Sequence, residues 1–156
     1  MKNHQLKLQI FLILALSGFM LLSGSIRAVA QEETPKEQEV KEEIPNNEKL
    51  VIIWSSSDRE VALKMVFMYT FNSRRFNWWK DITLVVWGPS AKLLSGDQEL
   101  QDNLKKIKEA GVTLKACKAC SDMYGVSEKL EELGITVKYM GEITNYLKEG
   151  RHVLTF

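Results

Sequence analysis

Cysteine is scarce in this sequence: two residues among 156, Cys117 and Cys120. That is too few for a disulfide framework. Histidine is scarcer in effect, because His4 lies in an apolar leader and only His152 stands downstream. A structural zinc takes four thiolate or imidazole ligands. Cys117, Cys120 and His152 cannot complete that set within one chain, so no metal is expected. A surplus of one charge is missing too, with 21 basic side chains against 20 acidic. Neither nucleic acid nor an anionic membrane surface is expected as a partner. No Gly-rich phosphate cradle is present. Paired carboxylates and a Ser/His/Asp arrangement suited to catalysis are also missing, and no cofactor is expected.

What the chain does have begins with a leader. Lys2 and Lys7 precede the apolar run IFLILALSGFMLL, and RAVA places Ala28 and Ala30 in the small-x-small spacing of a cleavage site. The run is short for a bilayer span of about 20 residues. Residues 1–30 are therefore read as a signal peptide cleaved before Gln31, with no stable membrane insertion afterwards. The mature protein is expected in the periplasm or outside the cell, where thiols meet oxidising conditions. Removing Lys2, Lys7 and Arg27 leaves 18 basic side chains against 20 acidic, a net charge of −2. Residues 31–48 are acidic, hold two of the three prolines and have no aromatic residue. Such a stretch cannot bury enough apolar surface to offset its ordering entropy, and it is read as a disordered linker.

From Lys49 the texture changes. KLVIIWSSS is a continuous apolar run ended by serines, which suits a strand covered on both faces. Asp58 is placed to cap the next helix, whose stripe is Val61, Ala62, Met65, Val66 and Tyr69. Leu63, Phe67 and Met68 make that helix apolar on its other sides, so part of it is expected to meet another subunit. Trp78 and Trp79, in the loop that follows, are expected to cover the edge of the core. ITLVVWGPS repeats the strand-then-turn pattern, and SAKLLSG is a short helix or turn. Asp97 and Gly111 bound an amphipathic helix carrying Leu100, Leu104 and Ile107. VTLKAC is a third strand and KACSDMYG a short helix. SEKLEELG is another helix, capped by Ser127. ITVKYM, GEITNYLKEG and RHVLTF complete the series as strand, helix and strand. Strands alternating with helices at these lengths predict an α/β fold, a three-layer α/β/α sandwich over 49–156 around a mainly parallel five-stranded sheet. Sites in such folds gather at the carboxyl ends of the strands, here Ser55–Asp58, Gly88–Ser90 and Cys117–Cys120.

The cysteine pair is the main candidate site. A c-type haem needs histidine after the second cysteine, and Ser121 stands there. A thioredoxin fold needs a proline loop facing its disulfide, and no proline follows Pro89. What remains is a sulfur-handling thiol. Cys117 leaves a strand near a helix start, with Lys115 and Lys118 beside it, an arrangement that favours a thiolate. Cys120 lies about one turn on, where it can resolve a mixed disulfide or persulfide. Two inert core thiols, or a passive disulfide, stay open as the plainer reading. His152 is read as structural.

The run ACKACSDMYGV, followed by Leu133-Gly134-Ile135, Gly141, Tyr146-Leu147, Gly150 and the terminal VLTF, resembles the DsrE/DsrF-like family. The resemblance covers 49–156 and is strongest to an exported branch. It implies a trimeric or hexameric homo-oligomer and, in sulfur-relay members, a persulfide-accepting cysteine after the third strand. Cys117 matches that position. Cys120 is an addition where many relay members lack a cysteine. A protein that donates or accepts sulfur is the implied partner. A non-catalytic oligomeric binding module, with its cleft at the strand ends, is the alternative.

Overall fold

The computed structural model describes residues 43–156; the expected signal peptide and most of the expected linker lie outside the described residues. The end of that linker is ordered. Asn46–Glu48 form a 3-10 turn, and the Glu48 carbonyl accepts a hydrogen bond from the Lys80 amide at 3.0 Å.

Five strands follow: β1 (Lys49–Trp54), β2 (Asp81–Val86), β3 (Thr113–Cys117), β4 (Thr136–Lys138) and β5 (His152–Thr155). They form one sheet in the order β4-β3-β2-β1-β5, and every pairing is parallel. The chain steps outward from β1 to β4 and then returns across the sheet to β5. Right-handed crossovers put the helices of the outward steps on one face and the returning helix on the other.

Alternation along β1 makes the two layers visible. Leu50, Ile52 and Trp54 enter a large core with Ala62, Val66, Phe67, Leu94, Leu104 and Leu130. Val51 and Ile53 face the other way, into a smaller core with Val85, Cys117, Met140, Ile143 and Tyr146. The large face carries α3 (Pro89–Gly96), α4 (Gln98–Glu109) and α6 (Ser127–Glu132), together with a helical arm formed by α1 (Arg59–Val61), a π-helical stretch (Ala62–Phe67) and α2 (Met68–Arg75). The small core is covered by α7 (Glu142–Lys148). The expected three-layer α/β/α arrangement is present, with unequal outer layers.

Two caps are where the sequence places them. Asp58 accepts hydrogen bonds from the Glu60 and Val61 amides, and Asp97 accepts one from Leu100. Ser127 is not a cap. Val126 holds the N-cap position of α6, while the Ser127 hydroxyl donates to Asp122 at 2.5 Å and lies 2.7 Å from that of Ser121. The arm also departs from its expected stripe. Its π-helical stretch bonds i to i+5 and shifts the phase, so Phe67 is buried and Met65 is half-exposed. Trp79 packs on the core edge as expected, whereas Trp78 stays half-exposed and stacks on Phe76 at 5.7 Å.

Candidate functional site

The carboxyl ends of β1, β2 and β3 lie side by side, so the segments after Trp54, Val86 and Cys117 share one edge. The first two are tied down. Ser90 is fully buried; its hydroxyl donates to the Trp54 carbonyl at 2.6 Å and accepts from the Trp87 amide at 3.1 Å. Gly88 turns the chain between β2 and α3 at φ +69° and ψ −134°, a conformation open to glycine. Ser55 binds the Phe156 carbonyl through both its amide and its hydroxyl, which anchors the end of β5. A groove at this edge is lined by Ser57, Pro89, Lys92, Leu93, Asp97 and Tyr124, and Cys117 is not among its walls.

Cys117 is the last residue of β3 and the N-cap of α5 (Lys118–Met123). It falls on the same sheet face as Lys115, opposite Leu114 and Ala116. It is 5% exposed, covered by Met140, Ile143 and Tyr146 from the α7 side. Cys120, in the first turn of α5, is half-buried and packs on the same cluster. Both thiols are free.

The electrostatics at Cys117 run opposite to the expected thiolate. Burial pushes its thiol above the ordinary value; the neighbouring Cys120 thiol adds to that, and the Cys120 and Ala119 amides oppose it without reversing it. The two lysines do not supply the positive potential expected of them, because each is engaged elsewhere. Lys115 Nζ lies 3.0 Å from a Glu142 carboxylate oxygen and donates to the Tyr146 hydroxyl at 2.5 Å. Lys118 pairs with Asp122 at 2.9 Å on the solvent side. Cys117 therefore rests as a thiol at neutral pH.

Glu142, Tyr146 and Met140 are site neighbours that the sequence reading missed. They lie about 25 residues beyond Cys117, with three elements between. The signal was topological: a chain leaving edge strand β4 for the far edge must cross the face on which residues 115 and 117 lie. His152 pairs with Leu50 at the amino-terminal edge of the sheet, where its ring lies 4.8 Å from that of Trp79. That edge is opposite the cysteine pair, so the two groups of residues are not brought together.

The DsrE/DsrF-like family matches residues 48–156. A conserved protein of unknown function from Bacteroides thetaiotaomicron, BT1422, is 38% identical, with a TM-score of 0.69 over 70% of this chain and 96% of that one. The ychN protein of E. coli shares the fold at 20% identity, with a TM-score of 0.56 over 69% of this chain and 98% of that one. No curated protein matches significantly. With the family pattern spanning the whole described sheet and a 38% identical relative matched over nearly its full length, the chain belongs to the DsrE/DsrF-like family.

Proposed function

We propose that this is an exported thiol protein that handles sulfur at Cys117 and Cys120, by accepting sulfane sulfur as a persulfide or by exchanging disulfides with a donor or acceptor protein. The observation that carries this reading is the pairing of two free thiols one turn apart, at the strand-end edge where α/β folds place their chemistry. A ring closed within one helical turn adds little to folding stability, so a disulfide there suits exchange better than stapling. Reduced protein exposed to inorganic polysulfide should gain the mass of one sulfur, lastingly or in passing to a disulfide, and reductant should restore the dithiol. The Cys117→Ser/Cys120→Ser double variant should gain none. Equal uptake by that variant would remove the reading. The binding-module alternative would then lead, favoured by the groove between Ser57, Lys92 and Tyr124.

The homo-oligomer is part of the same proposal. Met65, Met68, Phe76 and Trp78 are large apolar side chains left at least half-exposed around the helical arm. Met65, Met68, Tyr69, Trp78 and Phe156 line one shallow groove there. Contiguous apolar surface of this kind marks contact sites. Light scattering should show a trimer or hexamer at micromolar concentration, and Met68→Asp should shift it toward monomer with the fold intact by circular dichroism. A wild-type monomer would defeat the expectation.

A further inference from the structure

We infer that sulfur lands first on Cys120 and that Cys117 is the resolving thiol beneath it. The inference rests on the sulfur-handling reading above and adds the order of events. A displacement at sulfur needs the attacking atom to reach the donor's outer sulfur, so access decides which thiol receives it. Cys117 is 5% exposed under Met140, Ile143 and Tyr146. Cys120 lies at the rim of that cluster, with part of its surface open. A persulfide also needs room for one more atom. Interiors are close-packed, and added atoms there force neighbours aside. The rim position has that room.

The steps balance within the protein. The Cys120 thiolate attacks the outer sulfur of a hydropersulfide or polysulfide donor. The donor's S–S bond breaks, and the donor leaves as a thiol carrying the proton given up by Cys120. Cys120 now bears S–SH. Cys117 then attacks the Cys120 sulfur atom. A disulfide forms between the two cysteines, and the outer sulfur departs with the bonding electron pair. It takes up the Cys117 proton and leaves as hydrogen sulfide. Two cysteine sulfurs are oxidised and one sulfane sulfur is reduced, so a single turnover needs no other oxidant or reductant. The burial that holds the proton on Cys117 makes the second step the slower one, and the persulfide on Cys120 accumulates before it resolves.

The test uses the reduced protein, its Cys117→Ser and Cys120→Ser variants, and inorganic polysulfide as the probe. Intact mass and released sulfide are followed together. Wild type should gain one sulfur transiently on the Cys120 peptide, then lose it as one equivalent of hydrogen sulfide and end two hydrogens lighter than the reduced protein. Cys117→Ser should keep the added sulfur and release none. Cys120→Ser should take up sulfur about tenfold more slowly than wild type. A second measurement needs no variant. A brief iodoacetamide pulse on native protein should label Cys120 before Cys117, and the difference should vanish in denaturant. Uptake by Cys120→Ser at the wild-type rate, or first labelling at Cys117, overturns the order while leaving the sulfur-handling reading in place. A wild-type protein that takes up no sulfur overturns that reading, and this inference with it.

Discussion

Trp54→Ala should cost about 3–5 kcal/mol, the usual range for removing a buried indole. Trp54 is 0% exposed at the end of β1, and its ring meets Phe67 edge-on at 5.1 Å. It also pairs with Val86 across the strand boundary that leads to the candidate site. Domains of this kind are stable by only about 5–15 kcal/mol, so this variant should be largely unfolded in modest urea. Trp54→Phe makes an instructive contrast. The indole N–H has no hydrogen-bond partner among the described residues, and an unpaired buried donor carries a penalty of about 1–3 kcal/mol. Phenylalanine removes that donor and keeps most of the ring. Its net cost should fall below about 1.5 kcal/mol, read as a small drop in urea midpoint at unchanged slope.

Glu142→Ala should be the second large loss, near 3 kcal/mol. Lys115 and Glu142 are 15% and 17% exposed, and removing the carboxylate leaves the Lys115 ammonium with the Tyr146 hydroxyl as its remaining partner. Lys138 also reaches Glu142, at 2.5 Å, from a more exposed position that contributes less. Replacing both members of the inner pair, as Lys115→Met with Glu142→Met, should recover most of the loss, because no buried charge is then left unpaired. The pH dependence has a definite sign. Burial pushes the Glu142 carboxyl up, but hydrogen bonds from Lys138 and Lys115 outweigh it and hold the group below the ordinary carboxylate range. A depressed carboxylate stabilises the fold above its unfolded value, near 4.3, and that stability is lost as pH falls through the lower folded value. Urea midpoints of wild type and Glu142→Gln should therefore differ at pH 7 and converge as the pH falls through that lowered folded value.

Local signals were legible in the sequence. The run KLVIIWSSS becomes β1 and its exit loop because both faces of that strand are covered. Asp58 and Asp97 cap because each stands directly before an apolar stripe. The cysteines fall at a strand end because Leu114 and Ala116 bury one face of β3 and leave residues 115 and 117 for the other. Longer-range effects were not legible. Ser127 looks like a cap until Asp122 and Ser121, from the preceding turn, take its hydroxyl. Lys115 looks like a free charge beside a thiol until α7, four elements later, brings Glu142 over it. The phase shift in the helical arm is equally hidden, since its side chains suit either register. For Lys115 a partner 27 residues away decides what the local pattern leaves open.

The return of the chain across the sheet also sets the order in which the molecule can be completed. Ser55 and Phe156 are 101 residues apart and joined by two hydrogen bonds, so β1 waits for the last residues before its outer neighbour exists. Closing so long a loop is among the late, slow events of folding. During synthesis, β1 to β3 emerge before α7, and the face bearing Val51, Val85 and Cys117 stands bare until residues 142–155 arrive. Cys117 is therefore uncovered in the newborn chain and sheltered only once α7 has packed over it.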